Sequence, residues 1–392
     1  MRPLETPQVA RRTPHVAVLI ETSRSYGRGL LRGVRRYLAE FGPWSVFMEL
    51  RALDSPPPLW LKGWRGDGIL TRTGTGAMAD AVRRVGVPVV ELRSPRLNAG
   101  APWVGVDNRA MGKIVADHLM QRGFRHFGVC EIGTEIYFDE RRVNFIQTVT
   151  RAGFVCDAYH AKGQPEKPAQ WEKHQDDLAA WVKGLPKPAG VMACTDQLGF
   201  FLLDACARAG VAVPEEVAVV GVENEESLCT MAVPTLSSVK FNAERIGYEA
   251  AALLDRLMAG EAAPSEPILI EPIGVVTRGS SDVVAIDDPE IAQAVRFIRE
   301  TACDGIAVKD ILKEMAISRS ALERRMRAAL GRSPNEEITR VRVERVKELL
   351  ISTDQPLTTI ARRTGFQTPQ YLVQVFRRQV GVTPGVFRRE RS

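Results

Sequence analysis

Residues 318–334, SRSALERRMRAALGRSP, and residues 368–384, TPQYLVQVFRRQVGVTP, are two copies of one pattern. Leu322 matches Leu372, Met326 matches Phe376, Arg327 matches Arg377, and GRSP matches GVTP. Upstream, Ile311 matches Ile360 with one residue inserted in the second copy's turn. This is an internal duplication. Each copy reads as a short helix (309–315; 358–364), a tight turn (316–317; 365–367) and a second helix capped by Ser318 or Thr368. Gly365 suits a turn that needs a positive φ. The pattern is a helix-turn-helix, twice.

Between the copies, residues 335–352 place Ile338, Val341, Val346 and Leu349 or Leu350 on one side of a helix of roughly 25 Å at about 1.5 Å per residue. Such a spacer lets two recognition helices enter successive major grooves, about 34 Å apart. Helical spacing turns Ser320, Glu323, Arg324 and Arg327 to one side of the first recognition helix, and Gln370, Gln374 and Arg377 to one side of the second. Ser318, Arg319 and Thr368 stand at the helix starts and complete the DNA-facing set. Arginine suits guanine, glutamine suits adenine, and Glu323 accepts from cytosine. Arg319, Arg325 and Arg378 suit phosphates or plain solvent. Leu322, Met326, Leu372 and Phe376 are core. A protein-docking bundle is the alternative, disfavoured because the polar faces carry many arginines and few acids.

The charge distribution points the same way. The 392 residues carry a net +6. Residues 289–392 hold 20 basic against 12 acidic side chains, or +8, which leaves 33 against 35, or −2, for the rest. A basic end on a near-neutral body is the footprint of a polyanion-binding module. Hydrophobic residues at 45% and charged residues at 26% exclude disorder, collagen and a coiled-coil rod. No apolar run reaches the ~20 residues of a membrane span, and the stretch after Arg11 and Arg12 is too short for a signal peptide. Cys130, Cys156, Cys194, Cys206, Cys229 and Cys303 show no CxxC spacing, which suits reduced thiols and a cytoplasmic location.

The first 280 residues alternate short apolar runs (HVAVLI, SVFMEL, GIL, PVVEL, WVGV, HFGVC, GVMAC, VAVVGV) with amphipathic stretches such as 25–41, 109–122 and 144–152. Such runs are strands buried on both faces, so a doubly wound parallel sheet is expected. About ten strands are too many for one small sheet, and two α/β lobes with a cleft between them follow. GxGxxA at 74–79 with Glu91 mimics a dinucleotide fingerprint, but its first glycine stands three residues past the strand and no catalytic set accompanies it. A nicotinamide-dependent oxidoreductase is the alternative this leaves. Residues 105–113 miss the phosphate-loop spacing, and no metal-spaced Cys and His set occurs. No cofactor and no metal is implied.

Polar residues follow the strands. Asp107 follows WVGV, Asp196 follows GVMACT, and Glu223, Asn224 and Glu225 follow VAVVGV. Carboxylates accept from hydroxyls and Arg141 donates in a fork, an inventory suited to an uncharged polyol such as a sugar. Tyr26, Trp60, Trp103 and Phe138 offer ring faces on which a sugar stacks. Each carboxylate taken alone is equally a helix N-cap.

The stretches VGVDNRAMGKIVADHLMQRGFRHFGV, DERRVNFIQTV, GVMACTDQLGFFLLDACARAGVAVPEEVAVVGVENEE and TLSSVKFNAERIGYEAAALLDRL resemble the effector domain of the LacI/GalR repressors over most of residues 14–278. That resemblance implies sugar contacts at Arg141, four residues before Phe145, at Asp196, and at Glu223, where aspartate is usual. The amino-terminal DNA-binding headpiece of those repressors is missing. Residues 289–391 resemble the AraC/XylS DNA-binding domain through Ile360, Ala361, Gly365, Phe366, Tyr371, Leu372, Phe376, Gly381, Thr383, Pro384 and Arg388, with Leu372 replacing an aromatic. The order of the two domains, with Glu140, Arg141, Asn224 and Glu225 in matching contexts, is similar to that of xylose operon activators. The expectation is an effector domain over 14–278, a linker over 279–289, and a DNA-binding domain over 290–392 with motifs at about 308–329 and 357–379. The resemblance implies a homodimer that binds D-xylose or another monosaccharide, closes its lobes, binds promoter DNA and recruits RNA polymerase. No membrane partner is implied.

Overall fold

The structure, a computed structural model, describes residues 12–132, 136–161, 168–283 and 288–391. It divides into two compact units, one of residues up to Asp107 together with Asn242–Glu271, the other of Asn108–Phe241 together with the residues from Pro272 onward.

In the first unit β1 (His15–Leu19), α1 (Ser25–Phe41), β2 (Ser45–Met48), β3 (Gly68–Thr71), α2 (Gly76–Val85), β4 (Val89–Glu91) and β5 (Val104–Val106) follow in order. The sheet is parallel, β2-β1-β3-β4, with Ala17 opposite both Phe47 and Ile69. Parallel strands covered on both faces need apolar side chains throughout, and β1 and β3 are buried along their lengths. The run at 45–50 departs from that expectation. All four residues of β2, an edge strand with one neighbour, are exposed.

The second unit opens on α3 (Asn108–Gln121) and continues through β6 (His126–Ile132), α4 (Ile136–Arg151), β7 (Cys156–Ala161), α5 (Pro168–Gly184), β8 (Ala189–Ala193), α6 (Asp196–Ala209), β9 (Val217–Glu223), α7 (Glu226–Met231) and β10 (Ser237–Lys240). α8 (Ala243–Met258) and β11 (Ile268–Ile270) return to the first unit, where β11 pairs with β5, and β12 (Gly274–Val276) rejoins the second. The second sheet runs β12-β10-β9-β8-β6-β7, parallel except for β12. Past β12, Ser280 and Ser281 are wholly buried, with Ser280 Oγ donating to the Val219 carbonyl at 2.7 Å. Of the expected linker, residues 284–287 lie outside the described residues.

Among the described residues, seven helices complete the second unit: α9 (Pro289–Thr301), α10 (Val308–Glu314), α11 (Arg319–Leu330), α12 (Pro334–Ser352), α13 (Leu357–Arg363), α14 (Pro369–Val380) and α15 (Pro384–Arg391). The chain is thus α/β in its first part and all-α in its last, with helix-turn-helix pairs α10–α11 and α13–α14. The expected caps form: Ser318 Oγ accepts from Ala321 N at 3.3 Å and Thr368 Oγ1 from Tyr371 N at 3.2 Å. Each pair has its own core, one around Ile298, Ile311, Leu322 and Met326, the other around Ile360, Phe366, Leu372 and Phe376. α12 supplies Ile338 to the first and Val343, Val346, Leu349 and Leu350 to the second. A 19-residue helix, about 28 Å long, is thereby clamped at both ends.

Gly365 sits in the second turn at φ 71°, and a Cβ there would stand 2.8–3.0 Å from backbone atoms of Ala302, Cys303 and Gly305. Gly365→Ala is expected to cost about 1–3 kcal/mol, from the left-handed backbone and the displaced 302–305 segment. It should lower the helical part's melting transition by several degrees in the intact chain, and unchanged melting would contradict this close approach.

Candidate functional site

Arg141 is the centre of the second unit's polar set. Its side chain, on α4, is almost wholly buried. Nε donates to Asn108 Oδ1 at 2.9 Å and Nη1 to the Cys194 carbonyl at 2.6 Å. The rings of Tyr137, Phe241 and Phe138 lie 5.0, 5.8 and 6.0 Å from its guanidinium carbon. Glu223 Oε1 stands 3.9 Å from Nη1. That carboxylate ends β9 on a backbone at φ 120°, followed by Asn224 at φ 51°, the two positive-φ non-glycine residues among those described. Such backbone is held only when its surroundings over-determine it. Here Asn224 N donates to Ser238 Oγ at 2.9 Å, and Arg278 Nη2 donates to Asn224 Oδ1 at 2.8 Å.

Asp196 holds the same turn from below. Thr195 caps α6, leaving the wholly buried Asp196 free of that task. Its Oδ2 accepts from Glu225 N at 2.6 Å and its Oδ1 from Ser238 Oγ. Burial raises its pKa to about 7, with the Glu223 charge adding to the rise and the Ser238 and Glu225 bonds opposing it.

In the first unit Tyr26 opens α1 with the Arg72 guanidinium 4.9 Å from its ring centre. Arg72, after β3, pairs with Glu21, after β1, whose side chain is fully buried. Glu21 Oε2 has no hydrogen-bond partner among the described residues. Asp107 closes β5, its N–H donating to the Ile270 carbonyl at 2.9 Å. Of the expected aromatic residues, Phe138 adjoins Arg141, whereas Trp60 packs on Phe47 and Trp64 with Nε1 donating to Glu49. Trp103 bridges to Glu91. Glu21 and Arg72 were missed by sequence reasoning, although each directly follows an apolar run, the signal that singled out Asp107 and Glu223.

The dinucleotide mimic dissolves. Glu91 is buried and its oxygens accept from Thr73 N and Oγ1, Leu92 N, Arg93 N and Asn98 Nδ2, which leaves nothing for a ribose. Among the described residues no three metal-ligating side chains converge, and no helix is long and apolar enough to cross a membrane.

On the helical part, Ser320, Arg324, Arg327, Gln370, Gln374 and Arg377 are exposed. Arg324, Arg327 and Arg377 make no ion pair among the described residues. Arg319 pairs with Glu323 at 3.2 Å on one helix face, so each screens the other. Arg325 departs from expectation. Asp288 and Glu290 at the start of α9 hold it at 2.5–2.6 Å, so its charge is already paired although the side chain remains about a third exposed. Arg388 turns inward, donating to the Leu350 and Gln355 carbonyls at 3.2 and 2.7 Å.

A periplasmic-binding-protein-like domain is matched over residues 116–281 and a helix-turn-helix domain over residues 311–390. Along 384 residues the chain is 32% identical to the xylose operon regulatory protein of Escherichia coli K12, covering 95% of this chain and 96% of the relative. The chain belongs to the family of xylose operon regulatory proteins. The Haemophilus influenzae member is 30% identical over the same length. A solved structure described as the xylose-binding transcription activator XylR matches with a TM-score of 0.62 at 29% identity, covering 97% of this chain and 99% of that one. The regulator is therefore a DNA-binding transcription factor with a periplasmic-binding-protein-like effector part, and it is not an enzyme.

Because the folded-state pKa of Asp196 is raised, its contribution to stability is complete below about pH 4 and is lost as pH rises through about 7. Between those limits the regulator's effector melting transition should fall with pH, by at most about 1.4 kcal/mol per unit from this group. In Asp196→Asn no group titrates at this position, and this part of the pH dependence should vanish. An unaltered profile would place the titration elsewhere.

Proposed function

We propose that the regulator binds D-xylose in its effector part and, as a cytoplasmic homodimer, activates pentose-catabolic promoters by recruiting RNA polymerase. The observation that carries this reading is the end-to-end similarity to the xylose operon regulators, which spans the effector and reader parts in the same order. The division proposed is an effector over 14–278, a linker over 279–289 and a reader over 290–392.

Arg141 and Glu223, with Tyr26 and Asp107, are proposed to contact the sugar. A guanidinium anchored at Nε keeps its fork aimed, and a facing carboxylate accepts from hydroxyls, so the pair suits vicinal hydroxyl groups without net charge. Asp196 enters the site through the turn it holds. On the reader, Arg324, Arg327, Gln370, Gln374 and Arg377, together with Ser320 and Glu323, are proposed to read bases. Ser318, Arg319 and Thr368 are proposed to set the helix starts against the backbone.

A melting-temperature panel of pentoses and hexoses tests the ligand. D-Xylose should give the largest upward shift, and a larger shift with another monosaccharide would reassign it. Arg141→Lys, which keeps the charge but loses the fork, should weaken D-xylose by about 10–100-fold; unchanged affinity would remove Arg141 from the site. Arg324→Ala should relax preference at one base position at roughly 1–3 kcal/mol. Equal weakening on random duplex would show that Arg324 does not read a base.

A further inference from the structure

Helix α3 touches two places that the functional reading keeps apart. At its first residue, Asn108 Oδ1 accepts from Arg141 Nε. At its last, the Gln121 carbonyl accepts from Arg332 Nη2 at 2.8 Å and Gln121 Oε1 from Arg340 Nη1 at 3.4 Å. Both arginines belong to the reader, and both are bound to Glu337, a fully buried carboxylate near the start of α12. Burial alone would raise the Glu337 pKa, but its bonds and charge pairing with Arg340 and Arg332 bring it down to about 2. The carboxylate therefore stays charged and fixes the two guanidinia. Just past α3, Arg125 Nη2 donates to the carbonyl of Ala329, at the end of recognition helix α11.

The last turn of α3 also grips the chain that leads to the reader. His118 Nε2 meets Ser281 Oγ at 2.9 Å, and Arg122 donates to the Ser281 carbonyl at 2.8 Å and to Thr277 Oγ1 at 3.0 Å. Between its ends α3 spans about 21 Å and lies in backbone contact with α4. A Cβ at Gly112 would fall 2.4 Å from the Arg141 carbonyl and 2.6 Å from Phe145 N. Close-packed helices shift as bodies more readily than they bend.

We infer that α3 is the rod carrying sugar occupancy from Arg141 to the DNA reader, with Gln121, Arg125, Arg332, Arg340 and Glu337 as its far coupling. The inference rests on the proposed sugar site. Arg125 and Arg332 act as positioning residues: neither is assigned to sugar or to DNA.

The test uses the intact protein and a duplex selected from random-sequence DNA for binding to the wild type. Its affinity is measured with and without D-xylose, beside the D-xylose melting shift. Coupled sites typically alter each other's affinity by about 5–150-fold. In Arg332→Met that ratio should fall to within about twofold of one while the melting shift persists, which also reports an intact fold. Arg125→Ala, at an exposed position, should lower the ratio part-way and decides the matter if Arg332→Met fails to fold. Wild-type ratios in both variants would overturn the inference. So would a wild type whose melting responds to D-xylose while its DNA affinity does not, an outcome that leaves the sugar site standing. Absence of any melting shift with D-xylose or another monosaccharide would instead strike the functional reading, and the rod with it.

Discussion

A guanidinium removed from water must find acceptors, and the second unit is organised around that demand. Arg141 reaches the Cys194 carbonyl, Arg122 that of Ser281, Arg332 that of Gln121, Arg342 those of Ala302 and Ile306, and Arg388 those of Leu350 and Gln355. Most of these carbonyls lie at or near the ends of helices and strands, where backbone acceptors are left over. Each arginine therefore ties together elements that the hydrophobic cores alone would let slide. Loss of such a donor leaves an unsatisfied acceptor, and loss of its acceptor leaves a desolvated cation, so the arrangement is specified in both directions.

The same economy explains the division of labour among the carboxylates. Glu337 is saturated by arginines and remains charged, Asp196 is saturated by a hydroxyl and an amide and is pushed toward neutrality, and Glu223 faces Arg141 at 3.9 Å with its side chain partly exposed. Glu223 is also the one on strained backbone. Strain there is sustained through the adjoining Asn224 by Ser238 and Arg278, which lie 14 and 54 positions from it in sequence.

Much of this was legible in the amino-acid order. The repeat, its Ser318 and Thr368 caps, the apolar stripe of α12 and the positive φ of Gly365 all follow from local spacing and side-chain chemistry. What local reasoning misread depended on position in three dimensions. The strand at 45–48 is apolar yet exposed at one edge of its sheet, a placement its composition does not encode. Arg325 looks like a surface cation in a basic domain, but the acids Asp288 and Glu290 claim it.

By itself the sequence determined the class of each part: parallel α/β for the first, twin helix-turn-helix for the last, and with them a ligand-sensing DNA-binding regulator. The two fold classes come from periodicity and caps, which act over a few residues, and the regulatory role from the resemblance that longer stretches carry. Only the tertiary structure decided which polar groups are spent internally and which remain to meet a ligand. It set Glu21 against Arg72, drew Asp196 under the 223–225 turn, and brought the end of α3 to Arg332 and Arg340. Hydrogen bonds and desolvation act between whatever groups the fold makes neighbours, and contacts across 29 to 219 positions of chain have no local signature.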